Sequence, residues 1–313
     1  MSEVKRIATR ESYGNILAEL GKENDKIVVL DADLAGSTKT AVFGKAFPER
    51  HINCGIAEAN MASISAGLAA AGMIPFMSSF AMFATGRNYE QIRNSIGYPH
   101  LNVKVCASHA GISVGEDGAT HQCCEDIALM RTIPGMVVMC PSDDIETKAC
   151  VRAAAEYEGP VYIRLGRLAV PVINDHPDYE FQWGKGITLK EGDDIAIIAT
   201  GLCVESAMTA AKMLEEDGIS ARVINIHTIK PIDEDIILKA AKECKMIFTV
   251  EEHSVIGGLG SAVCDVVSEK HPAVVKKLGV YDVYGHSGPA LDLLKEFKLD
   301  GPGVYEQVKE FYK

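Results

Sequence analysis

Cys106-Ala-Ser-His109-Ala-Gly-Ile-Ser-Val-Gly-Glu-Asp117-Gly-Ala-Thr-His121-Gln-Cys-Cys-Glu-Asp126 is the stretch that decides the fold. A strand-like run from Asn102 to Ala107 opens into a loop with three glycines, two histidines and an acid pair, and a helix-like run begins near Cys123. In an open α/β sheet, ligands sit beyond the carboxyl ends of parallel strands, in loops of this kind. Two histidines and an aspartate there can donate, accept and move protons on a polar substrate. The plainer reading is a glycine-rich turn whose polar residues satisfy the backbone.

Outward from this loop, strand and helix patterns alternate along the chain. Thr9 or Ser12 caps a first helix that runs to Gly21, and a strand from Lys26 to Leu30 ends at Asp31-Ala-Asp33. Lys39 to Phe47 reads as helix, His51 to Cys54 as a short strand, and Glu58 to Ala71 as a long helix closed by Gly72. Ile74 to Ser79 is a strand, Arg87 to Ile96 a helix, Met136 to Cys140 a strand, Ile145 to Tyr157 a helix and Val161 to Leu165 a strand. Pro171 to Trp183 breaks the rhythm and reads as a linker. Beyond it, strands begin at Ile195, Arg222, Met246 and Lys276, and helices at Glu205, Glu234 and Ser261, before terminal helices. Two α/β domains follow, the first larger, each with a mostly parallel sheet.

Composition narrows the classes. The 313 residues are long enough for two domains, and 47% are hydrophobic, enough for sizeable cores. A net charge of −12 argues against nucleic acid, which needs a basic face. The uncharged stretch from Ala59 to Thr85 carries Gly67, Gly72, Pro75 and four serines, so it reads as buried helix and strand rather than a membrane span. The amino terminus shows no signal-peptide pattern. Nine cysteines without a Cys-x-x-Cys pair read as free thiols in a reducing compartment, and the chain is expected to be cytoplasmic.

Polar residues gather where first-domain strands end. Asp33 and Ser37 follow one strand, Glu58 another, Phe80 and Phe83 a third, His109, Asp117 and His121 a fourth, and Arg167 the last; Arg10 lies near the amino terminus. In a parallel sheet these loops share one edge. Glu58 starts an apolar helix, where an acid suits the dipole; alternatively it is a buried acid facing a ring nitrogen. Phe80 and Phe83 are core packing or a flat wall for a heterocycle. Arg10, Ser37, His109 and Arg167 together suit a phosphate, because guanidinium forks match phosphate oxygens. In the second half, Ile256-Gly-Gly-Leu-Gly260 is only part of a dinucleotide fingerprint.

Taken together, Gly55-Ile-Ala-Glu58, the Phe80/Phe83 pair and Gly115-Glu-Asp-Gly-Ala-Thr-His-Gln122 resemble the pyrimidine-binding domain of transketolases. Ala199-Thr-Gly201 and Asn225-Ile-His-Thr-Ile-Lys-Pro231 resemble the carboxyl-terminal domain of that family. The resemblance implies a doubly wound sheet domain over residues 1–172, a linker over 173–190 and a smaller α/β domain over 191–313. It implies that Glu58 contacts N1′ of the thiamine diphosphate aminopyrimidine, that Phe80 and Phe83 flank that ring, and that Asp33 lies near the cofactor. It assigns Asp117 and His121 to the sugar hydroxyls and carbonyl, and Arg10, Ser37, His109 and Arg167 to the sugar phosphate. Glu58 and His121 are the catalytic candidates.

Departures from the family refine this. The family's Gly-Asp-Gly motif for the diphosphate and magnesium is absent, and Glu191-Gly-Asp-Asp194 lacks the last glycine. The resemblance therefore implies a carboxyl-terminal subunit of a split transketolase. Its partner chain would hold the diphosphate and Mg2+, in an assembly of two copies of each. Transketolases often carry Arg-Glu-His where Ala57-Glu58-Ala59 stands, and a tyrosine where Gly86 stands. The rival readings are a subunit like 1-deoxyxylulose-5-phosphate synthase, a 2-oxo acid dehydrogenase β subunit, and a non-catalytic homologue.

Overall fold

A computed structural model describes residues 5–177 and 179–312. Residues 1–4 of the first domain, Asp178 of the linker and Lys313 lie outside the described residues. The described residues form fourteen strands: β1 Arg6–Ala8, β2 Ile27–Asp31, β3 His51–Asn53, β4 Ile74–Phe80, β5 Lys104–Ser108, β6 Val137–Met139, β7 Val161–Arg164, β8 Ala169–Pro171, β9 Ile187–Lys190, β10 Ile195–Ala199, β11 Ala221–Asn225, β12 Thr228–Lys230, β13 Met246–Ser254 and β14 Val275–Val280.

The first sheet runs β12-β6-β7-β5-β4-β2-β3. It is parallel except for β12, which pairs antiparallel with β6. Apolar runs such as Ile27-Val-Val-Leu30 bury both faces, as a helix-covered parallel sheet requires. Alternate residues go to different cores. Ile27, Val29, Phe76 and Ile163 meet helices Thr9–Glu23 and Asp144–Glu156 through Tyr13, Leu17, Cys150 and Val151. Val28, Leu30, Met77 and Val105 point the other way, toward Met61 and Ala62 of helix Glu58–Ala70. That second core continues without a break into Ile198, Ile224 and Ile237 of the second domain. The second sheet runs β14-β13-β10-β11-β9, parallel except for β9.

Several local readings change. Neither Thr9 nor Ser12 caps the first helix by its side chain; it starts at Thr9 after Ala8, and the Thr9 hydroxyl instead accepts from Gly166 N–H at 2.8 Å. The helix expected over Lys39 to Phe47 is two short helices, Ala35–Thr38 and Ala41–Ala46, separated at Lys39, whose φ is 70°. The helix expected at Cys123 starts at Asp126, because Cys123 O is used by Gly111 N–H in a bridge across the loop. Between Met82 and Gly97 the chain winds mostly as π-helix, which has no local sequence signature. The stretch read as linker ends in a true strand, β9, and β8 pairs with β1. β12, from the second half, joins the first sheet, so the halves interlock. Among the described residues, no helix is long and apolar enough to cross a membrane.

Candidate active site

The loops after β2, β4, β5 and β7 meet on one edge of the first sheet, as parallel pairing demands. Glu58 opens its helix and is only 2% exposed. Both of its carboxylate oxygens accept from Arg87 Nη1, at 3.1 and 2.9 Å. The Arg87 guanidinium carbon also lies 4.4 Å from the centre of the Phe83 ring. Phe83 stacks on Phe80 with centroids 5.9 Å apart and a 20° interplanar angle. Phe80 stacks in turn on His109, centroids 3.8 Å apart. His121 presents itself edge-on to Phe83 at 5.2 Å and to Phe80 at 6.2 Å. The two phenylalanines thus lie between polar groups, Phe80 itself being buried.

His109 ends the loop's approach with φ 57°, uncommon for a non-glycine residue and typical of functional positions. Its Nε2 lies 3.2 Å from Arg10 Nη1 and its Nδ1 2.9 Å from Ser108 Oγ. The guanidinium can only donate, so Nε2 accepts and Nδ1 carries the hydrogen. Burial first, then the charges of Arg10 and Arg167 and the neighbouring His121, lower the His109 pKa to about 3. The ring is neutral at physiological pH and serves as a hydrogen-bonding group rather than a proton carrier.

Arg10 donates to the Ser37 carbonyl at 2.9 Å, so the Ser37 contact is through backbone; the buried Arg10 Nε has no partner among the described residues. Arg167 donates to Val114 O and pairs with Glu116 at 2.8 Å. Arg10, His109 and Arg167 are thus brought together at one end of the cleft. Asp33 and Asp117 do not join this network. Asp33 is exposed, with φ 64°, and accepts from Asn53 Nδ2 at 3.1 Å. Asp117 is exposed at the loop tip. At Gly86 an added Cβ would collide with the Met82 methyl, so Met82 fills the space where the family often has tyrosine.

Beside Phe83 and Arg87 opens a cavity of about 890 Å³ that reaches Thr120, Gln122, Ser254 and Tyr284. Its far wall belongs to the second domain, a contribution that reading the sequence missed. So were the clamps that hold the loop. Glu252 accepts from Ser113 N–H at 2.5 Å, and Gln122 Nε2 donates to Ile112 O and His286 O at 3.1 and 2.9 Å. Arg87 was also missed, although an arginine four residues past the second phenylalanine was a usable signal. The partial dinucleotide fingerprint takes no phosphate: the Glu251 carboxylate already accepts from Leu259 and Gly260 N–H at 2.6 and 2.8 Å.

The chain resembles known proteins over most of its length. Residues 5–172 match the family model of the transketolase pyrimidine binding domain, and residues 184–304 that of the transketolase C-terminal domain. The chain is 52% identical to a putative transketolase C-terminal section of Methanocaldococcus jannaschii, over 97% of this chain and 96% of that one. It is 43% identical to a 6-deoxy-6-sulfo-D-fructose transketolase subunit of a Clostridium species, covering 92% and 88%. A solved split-gene transketolase, described as an inactive beta4 tetramer, superposes with a TM-score of 0.90 at 54% identity, covering 97% and 98%. The chain spans 49% of rat transketolase.

Proposed function

The chain belongs to the transketolase family, and on that premise we propose that it is the carboxyl-terminal subunit of a two-chain transketolase. In this reading it moves a two-carbon ketol unit from a ketose phosphate to an aldose phosphate. A partner polypeptide holds the diphosphate and Mg2+. The observation that carries the reading is the Glu58 carboxylate, buried beside the Phe80/Phe83 wall with both oxygens turned to a planar N–H donor. A planar guanidinium fills that place, so the residues fit an aminopyrimidine, which is also flat and also donates N–H. The matches that span 96% and 88% of chains named as a section and a subunit support the need for a partner.

Glu58 would hold a proton at the ring nitrogen, Phe80 and Phe83 would flank the ring and exclude water, and Asp33 would lie at the edge of that site. Bound thiamine diphosphate supplies an electron sink for carbon–carbon cleavage. His121 and Asp117 receive the sugar's carbonyl and hydroxyls. Arg10, the Ser37 backbone, His109 and Arg167 take the phosphate; an arriving dianion competes with Glu116 for Arg167. The first domain is taken as 1–172 and the second as beginning with β9 at Ile187, with a shorter linker between, and the complex as two copies of each chain. The free thiols suit a cytoplasmic enzyme.

The test is reconstitution with a partner that carries Gly-Asp-Gly. The complex should transfer ketol units between sugar phosphates, and Glu58→Gln should slow exchange of the cofactor's reactive proton by about 10²–10⁴-fold without altering assembly. Unchanged exchange in that variant rejects the role given to Glu58.

A further inference from the structure

Arg87 has no part in the scheme above, yet it touches two of the scheme's residues at once. We infer that Arg87 is an internal stand-in for the aminopyrimidine, occupying the Glu58 carboxylate and the Phe83 face until the cofactor displaces it. The inference rests on the thiamine reading and adds to it a residue that sets how readily the site fills.

The geometry supports this in three ways. A buried carboxylate without a partner is costly, so a site that must sometimes be empty needs a removable counter-charge. Arginine suits that place because its guanidinium is planar, carries a fork of N–H donors and stacks on aromatic rings. Here Nη1 alone meets both Glu58 oxygens at 3.1 and 2.9 Å while the guanidinium carbon lies 4.4 Å from the Phe83 centroid, so one side chain covers both surfaces meant for the ring. Finally, Arg87 is free to leave. Its side chain is 48% exposed, against 2% for Glu58. The backbone need not move, because the next residue is anchored: Asn88 is buried and its Nδ2 donates to Glu58 O at 3.3 Å.

Two consequences follow. While paired with Arg87, Glu58 is not available to a ring nitrogen, so guanidinium and cofactor bind exclusively. The observed cofactor affinity is then the intrinsic one reduced by the fraction of sites already vacated. Removing the guanidinium should tighten binding, where an ordinary structural ion pair would weaken it.

The experiment measures binding, not turnover. The full chain is titrated with 4-amino-2-methylpyrimidine by NMR, and the reconstituted complex with thiamine diphosphate by calorimetry. Both are done for wild type, Arg87→Ala, Arg87→Lys and Glu58→Gln. Arg87→Ala should bind both probes about two- to fivefold more tightly, the scale of a half-exposed ion pair. Arg87→Lys, which keeps charge without the planar fork, should fall between, and Glu58→Gln should lose the probe. If wild type binds the probes and Arg87→Ala binds equally or more weakly, the stand-in is wrong and the thiamine reading survives. If no form binds either probe, both fall.

Discussion

Glu146→Gln should stabilise the protein at pH 8 and change it little at pH 5. The Glu146 carboxyl is completely buried where helix Asp144–Glu156 meets β11 of the second domain. Its Oε2 accepts from the Ser142 N–H and hydroxyl, each at 2.7 Å, and its Oε1 accepts from Asn225 Nδ2 at 2.8 Å. All three partners are neutral. Burial pushes the group from 4.5 up to about 7; the Ser142 and Asn225 bonds oppose that rise, and the Asp143 charge adds to it. A raised carboxyl keeps its proton in the folded chain after the unfolded chain has released it. Stability is therefore fully present below pH 4.5, falls as pH rises, and is lost through about 7. At about 1.4 kcal/mol per tenfold change, the ionised group costs about 3 kcal/mol at pH 8.

The glutamine amide removes that cost while keeping the shape. Asn225 Oδ1 is buried without a partner among the described residues, so its amide can turn over and accept from the introduced N–H while the new oxygen still meets Ser142. Allowing about 1 kcal/mol for imperfect hydrogen bonds, the gain at pH 8 should be about 1–3 kcal/mol. Urea unfolding of both proteins at pH 5 and pH 8 measures it. An equal change at both pH values, or a loss confined to pH 8, would refute the reasoning: the first means that Glu146 does not titrate between them, the second that its ionised form is well paired.

Two further outcomes follow from contacts at the domain junction. Asp126→Asn should destabilise the fold by about 3–5 kcal/mol in urea unfolding, because Arg164, 6% exposed and bound to Asp126 at 2.7 and 3.2 Å, would keep an unmatched buried charge. Gly111→Ala should cost about 1–2 kcal/mol for its φ of +79° and about 1–3 kcal/mol more because its Cβ would strike the Glu252 carboxylate. The same change should weaken sugar-phosphate binding by the complex in calorimetry, since Glu252 holds the His109 loop.

Much of the architecture was legible because the parallel strands are sealed on both faces. Ile27-Val-Val-Leu30 and Ile195-Ala-Ile-Ile-Ala199 can be little else, and each is buried throughout. The clustering of Glu58, Phe80, His109 and Arg167 also followed, since strand ends of one parallel sheet must share an edge. What escaped depends on partners remote in sequence. β12 is three residues long and takes its place from β6, some ninety residues earlier in the chain. The break at Lys39 needs a left-handed backbone at a residue with no preference for it. Arg87 reaches Glu58 only because the π-turns from Met82 carry it there, and windings of that kind have no periodicity to read.

The loop from His109 to Gln122 is shaped less by its own residues than by the second domain. An added Cβ at Gly111 would meet Glu252, at Gly115 it would approach Gly288 O at 3.3 Å, and at Gly118 it would strike Ser287 Oγ. All three glycines have positive φ, and each faces a second-domain residue at least 141 positions away, Gly115 facing Arg167 of the first domain as well. The glycines thus serve two purposes that one residue type satisfies: a tight path for the chain, and room for a second domain to press against it. Glu252 and the His286 carbonyl then fasten the loop at Ser113 and Gln122. A loop so constrained can hold His109 at φ 57° against its local preference, because the surrounding contacts over-determine it. The second domain is therefore part of how the site is positioned, not an appendage to it. Changes at Glu252 should reach His109 before they unfold anything else.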